Sequence, residues 1–229
     1  MPRKNKDHPN TKAQIVAAAW ELFATQGYDG ATVEAIIDKV GVSKGAFYHY
    51  FASKEDVLDA VVEHMTGQAL DHIKSSLQDA SLSAIEKLNR FLSASRNWRL
   101  ANIGLLREVV RVIFREDNVI IRHKMSLRNV ALALPVLADI IAQGVKERVF
   151  DTVDAEETAR LILHLASEWG EVQSKTLLEA PSKPENLALF ERRINLFTSA
   201  LERILAAPTG SIERVDMEAI SRAIENWGS

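Results

Sequence analysis

Residues 41–43, Gly-Val-Ser, leave room for little more than a tight turn, and the segments on both sides are helical by pattern. Upstream, Thr32 suits a helix N-cap, Glu34 sits near the positive end, and Val33, Ile36, Ile37 and Val40 share one face. Gly41 can end that helix, and Ser43 can cap a short one after it. Earlier still, residues 11–26 place Ile15, Ala19, Leu22 and Phe23 on one stripe, which Gly27 can close. Three short helices, the second and third joined by so tight a link, read as a helix-turn-helix unit. In that unit the second helix of the pair enters the major groove of DNA.

The helix after the turn carries an aromatic run, Phe47-Tyr48-His49-Tyr50-Phe51. On a helix beginning at Ser43, Phe47 and Phe51 are four apart and share a face with Val42, so they belong to the core. Lys44, Tyr48 and His49 point away from it, and Tyr50 lies between. That outward set is cationic and polar, chemistry that suits phosphates and base edges. Gly45 costs helix stability but lets a backbone approach a partner closely.

Helix starts recur down the chain. Ser53 with Asp56, Ser83 with Glu86, Asp154 with Glu157 and Ser182 with Glu185 have capping-box spacing, with Pro184 fitting a first turn. Residues 101–115 and 118–149 are helical by pattern, and Pro135 should kink or divide the latter. Residues 208–211 break the chain before a last amphipathic segment near 212–227. With only 10 Gly and 6 Pro, no repeat and no strand pattern, the expectation is all-α: an N-terminal three-helix helix-turn-helix DNA-binding domain, then a larger C-terminal helical ligand-binding and dimerisation domain. The expected divisions are a basic flexible arm over 1–10 (Arg3, Lys4, Lys6), the DNA-binding domain over 11–56 with a fourth helix starting near 53, and the effector-binding and dimerisation domain over 57–229.

The net charge is −3, but residues through Lys54 hold seven basic against five acidic side chains, leaving −5 for the remainder. A slightly basic front and an acidic back fit two jobs. The chain has no cysteine, which excludes disulfides and thiolate chemistry. The opening MPRKNKDHPNTK lacks the apolar stretch of a secretory signal, and the most apolar run, residues 130–138, is too short to span a bilayer. A cytoplasmic protein with no membrane partner is expected.

The stretch TVEAIIDKVGVSKGAFYHYFASKEDVL, residues 32–58, together with AAAWELFATQGYDGAT at 17–32, resembles the DNA-binding domain of TetR/AcrR-type transcriptional regulators. The resemblance covers about residues 11–58 and implies specific roles. Lys44 and Gly45 would meet base edges, while Thr32, Ser43, Tyr48, His49 and Lys54 would hold the DNA backbone. Tyr50 stands where the family often has His.

One recognition helix makes few base contacts, so such proteins pair on two half-sites. Leu187, Phe190, Ile194, Phe197, Leu201 and Ile204 follow a 3-4-3-4-3 spacing that suits a dimer seam, and Ile162, Ala166 and Trp169 on the preceding helix can join it; the same stripe could instead pack within one subunit. Between 80 and 150, Trp98, Leu106, Val110, Phe114 and Met125 interleave with Arg99 and Arg107, a composition for a pocket taking a small hydrophobic effector, an anionic one included, or for plain core.

His164 and Glu168 are four apart with no third ligand, and Glu63, His64 and His72 have no zinc spacing; no metal or cofactor is expected, and no phosphate loop or nucleophile motif is present. The expectation is therefore no enzyme, but a homodimeric repressor of a palindromic operator in double-stranded DNA, released by a small molecule. The alternatives are a constitutive helix-turn-helix protein without effector, or a helical enzyme.

Overall fold

The computed structural model describes residues 9–101, 107, 110, 119–180 and 182–225. The basic arm expected over residues 1–10 therefore lies almost wholly outside the described residues. Those described contain helices α1 (Pro9–Gly30), α2 (Val33–Val40), α3 (Lys44–Tyr50), α4 (Lys54–Ser76), α5 (Ala84–Ala101), α6 (Val119–Lys146), α7 (Ala155–Glu179), α8 (Glu185–Ile204) and α9 (Met217–Glu225), with no strand among them.

Contacts group Met1–Gln68 and Gly104–Arg122 into one compact unit, and Ala69–Ile103 with His123–Ser229 into a second. This contact grouping changes unit at residues 68–69, inside α4, where no sequence break occurs.

In the first unit α1, α2 and α3 bury the faces that their periodicity assigns. Ile15, Ala19, Phe23, Ile36, Phe47 and Val57 are essentially inaccessible. Gly27 leaves helical geometry inside α1, at φ 74° and ψ 163°, close to where the pattern ends that helix. Gly41 takes the left-handed conformation, φ 74° and ψ 31°, and its N–H donates to the Ile37 carbonyl. An L side chain there would be strained, so the tight turn depends on glycine. Asp56 accepts from the backbone N–H groups of Ala52 and Ser53 at 2.9 and 3.1 Å, while Ser53 Oγ accepts from Asp56 N–H at 3.1 Å, closing the expected capping box at the start of α4.

In the second unit the main core joins Ile73 of α4, Leu88 and Phe91 of α5, Leu137 and Ile141 of α6, and Leu201 of α8. Pro135 lies inside α6 without dividing it. Residues Met125–Lys146 are long and apolar enough, by length and composition, to cross a membrane, a longer span than the nine-residue run suggested; Val130, Leu137, Ile140 and Ile141 within it are nevertheless buried. A Cβ on Gly144 would overlap the ring of Phe150, so this glycine lets the chain fold back tightly after α6. Ser182 does not cap α8: its hydroxyl donates to the Glu179 carbonyl, and Pro184 occupies the cap position without a side-chain bond.

The C-terminal segment has its own attachment. Glu202, buried, accepts from the N–H groups of Gly210 and Ile212 at 2.8 and 3.2 Å, and Asn89 pairs with Ser211 and Glu213 backbone atoms. α9 then places Ile220 and Ile224 against Ala180 and Phe190 in a second, smaller cluster.

Candidate nucleic-acid interface

The turn and α3 build one face from the backbone outward. Ser43 caps α3 by accepting from Ala46 N–H at 3.1 Å, and Thr32 caps α2 by accepting from Ala35 N–H at 3.0 Å. Both hydroxyls are exposed, at helix N-termini where free amides and the helix dipole favour an anion. Phe47 is wholly buried, its ring 6.0 Å from that of Phe51, which anchors α3 from below. The opposite face is open: Lys44, Gly45 and His49 are exposed and Tyr48 keeps 46% of its surface accessible. Tyr50 is half-buried, edge-on to the His49 ring at 5.0 Å.

Three details were not legible in the sequence. Lys44 lies 3.7 Å from the Glu34 carboxylate of α2 and 6.0 Å from the centre of the Tyr48 ring. A Cβ on Gly45 would meet no atom within 4 Å, so nothing inside the protein requires glycine there. Lys54 has structural duties: its ammonium donates to the carbonyls of Tyr28 and Ala31 at 2.8 and 3.1 Å and lies 4.1 Å from the Tyr28 ring centre. It closes the end of α1, where helix carbonyls lack partners. A C-terminal carbonyl cluster facing a lysine leaves no trace in periodicity, so the residue read as a phosphate contact alone also ties two helices.

The stripe expected as a dimer seam also packs within the subunit: Phe190 and Leu201 are buried, while Leu187, Ile194, Phe197 and Ile204 stay half-buried. Phe190 is buried in the smaller cluster with Leu187 and Ile194 packed against it, and Ile162 and Leu201 belong to the main core, with Phe197 and Ile204 against that. The periodicity of α8 cannot reveal that α9, thirteen residues beyond its end, returns to cover it. Ala166 and Trp169 are half-buried. Among the described residues, the large apolar side chains exposed on α7 and α8 are Leu161, Leu165, Val172 and Leu196.

Of the effector-pocket residues, Leu106 and Phe114 lie outside the described residues. Trp98 and Met125 are half-buried and Arg99 is exposed, all three in the second unit, whereas Arg107 and Val110, also half-buried, group with the first.

A family model described as "Bacterial regulatory proteins, tetR family" matches residues 15–61, the segment that holds this face. The Fatty acid metabolism regulator protein of Bacillus subtilis (strain 168) is 29% identical over 133 residues, 58% of this chain and 67% of the relative. The HTH-type transcriptional repressor AcnR of Corynebacterium jeikeium (strain K411) is 27% identical over 169 residues, 65% of this chain and 87% of its own length. Among solved structures, a TetR-family transcriptional regulator from Pectobacterium atrosepticum superposes with a TM-score of 0.64 at 18% identity, covering 90% of this chain and all of that one. At that identity the likeness concerns the fold.

Proposed function

We propose that this chain, whose residues 15–61 match the tetR family of bacterial regulatory proteins, is a DNA-binding transcriptional regulator that acts in the cytoplasm as a homodimeric repressor, grips a palindromic operator and lets go when a small molecule binds its second unit. The observation that carries the DNA half is the division of α3 into a buried anchor, Phe47, and an open face of Lys44, Gly45, Tyr48 and His49. Lys44 and Gly45, at the start of α3, read base edges. Tyr48, His49, Ser43 and Thr32 hold phosphates and fix the angle of α3, and Lys54 donates a hydrogen bond from its third N–H to a phosphate while bracing α1.

The dimer half rests on the exposed leucines and valine of α7 and α8, which a monomer would leave in water. Two copies paired through this face carry two α3 helices, and two-fold symmetry in the protein calls for two-fold symmetry in the site. The effector half rests on the second unit's half-buried Trp98 and Met125 and on the buried, unpartnered polar atoms of Trp169 and Gln173 in α7.

The test is in vitro selection of bound DNA followed by titration at two salt concentrations. The expected result is an inverted repeat, bound by a dimer, with affinity falling steeply as salt rises. Binding with no sequence preference, or by one subunit to one half-site, overturns the reading.

A further inference from the structure

The stripe of α7 that faces the second unit's interior runs through Ile162, Ala166, Trp169, Gln173 and Leu177. Ile162 lies in the main core, and Leu177 packs against the smaller cluster. Gln173 stands between them, eleven residues or three full turns from Ile162 and so on the same bearing. It is 5% exposed, and neither its Nε2 nor its Oε1 has a hydrogen-bond partner. One turn earlier, the Trp169 Nε1 is also buried without a partner. Between the two in sequence, a Cβ on Gly170 would meet no atom within 4 Å other than its chain neighbours and the backbone of its own helix.

Buried amides are almost always paired, because leaving donor and acceptor desolvated and idle is costly. A leucine at 173 would continue the apolar stripe and merge the two clusters. Gly170 adds no side chain next to Trp169, and the position its Cβ would take is open.

We propose that Gln173, Trp169 and Gly170 form a recognition subsite for a neutral, largely apolar small molecule that carries an adjacent donor and acceptor, as in a carboxamide or lactam. The subsite rests on the effector-responsive reading above and names the ligand class. Gln173 Nε2–H donates to the ligand carbonyl while its Oε1 accepts from the ligand N–H, a cyclic pair that survives turning the amide over. Trp169 Nε1–H donates to the second lone pair of the same carbonyl. A carboxylate has no hydrogen to offer Oε1 and brings a charge that an amide cannot neutralise. Arg193, which reaches this part of α7, is engaged with Thr176 Oγ1 at 2.6 Å.

Calorimetric titration of the full chain with benzamide, benzoate and toluene tests this, using wild type, Gln173→Leu and Gly170→Leu. Benzamide is expected to bind wild type at least ten-fold more tightly than benzoate. Gln173→Leu should weaken benzamide at least ten-fold, leave toluene unchanged or tighter, and raise the melting temperature, while Gly170→Leu removes binding of both. No benzamide binding up to its solubility, equal binding by Gln173→Leu, or a lowered melting temperature of that variant overturns the subsite. Release of selected DNA is scored separately. Benzamide that binds through Gln173 without releasing DNA upholds the subsite and sinks the effector reading; benzamide that releases DNA equally from Gln173→Leu does the reverse.

Discussion

Lys44 and Glu34 face each other at 3.7 Å across the turn between α2 and α3, both well exposed. The lysine proposed to read a base thus rests beside a carboxylate that a DNA phosphate would repel. An exposed pair of this kind contributes at most about 1 kcal/mol. Glu34→Gln should therefore leave folding nearly unchanged and tighten binding to selected DNA by up to about five-fold at low salt, less at high salt. Fluorescence anisotropy at two ionic strengths measures it. Weaker binding by Glu34→Gln would mean that the carboxylate orients Lys44 rather than competing for it.

Lys54 separates structural from DNA-binding work. Lys54→Met keeps the stem over Tyr28 but loses both carbonyl bonds. Charged hydrogen bonds of this sort contribute about 1.5–3 kcal/mol when removed, so urea denaturation should show a loss on the order of 1–3 kcal/mol. The slope of log affinity against log salt should also fall, by about one unit per subunit. A variant with full stability and only the flatter slope would show that the carbonyl ties carry no weight.

Gly45→Ala should move stability and binding in opposite directions. The added methyl meets nothing in the free protein, and alanine is favoured over glycine inside a helix by roughly 0.5–1 kcal/mol, so the domain gains stability. In the proposed complex the same methyl would sit where the backbone of α3 approaches the bases, and binding should weaken. Chemical denaturation together with anisotropy decides the matter: unaltered DNA affinity would remove Gly45 from the interface.

These cases show what was legible in the sequence. The caps at Thr32, Ser43 and Ser53, the left-handed Gly41 and the burial of Phe47 follow from chemistry within a few residues, and local pattern carries them. What depended on distant chain did not show. The carbonyls that hold Lys54 belong to residues 28 and 31, and the cover over Phe190 comes from Ile220 and Ile224. Nothing in the local sequence singles out Gln173, because only three-dimensional packing makes it buried and unpartnered.

Acid should loosen the start of α5. Glu147 lies below the ordinary glutamate range because it accepts from the Ala84 N–H, at 2.9 Å, and from the Gln143 amide. Glu86 is lowered likewise by the Ser83 hydroxyl and then the Ser83 N–H. A carboxyl depressed in the folded state contributes stability that is fully present above its unfolded pKa and is lost as pH falls through the folded one. Melting temperature should therefore drop from about pH 4.5 downward, and the double variant Glu86→Gln, Glu147→Gln should show a shallower drop. An identical acid profile in that variant would place the acid-sensitive groups elsewhere.

The dimer face can be tested without touching the core. Phe197, though central in the sequence stripe, packs against the subunit's own core, so charging it would confound folding with assembly. Leu165 and Leu196 are 44% and 60% exposed in the single chain, so a glutamate at either position keeps its water and should alter monomer stability by no more than about 0.5 kcal/mol. In a two-fold interface each substitution is met twice, and the charges are desolvated without partners. Leu165→Glu with Leu196→Glu should therefore sediment as a folded monomer at micromolar concentration, with an unchanged far-ultraviolet spectrum. Operator affinity should fall by orders of magnitude while binding to an isolated half-site stays as weak as before, because the α3 face is intact. A double variant that remains dimeric would show that the subunits associate through another surface, and the exposed leucines of α7 and α8 would then need a different partner.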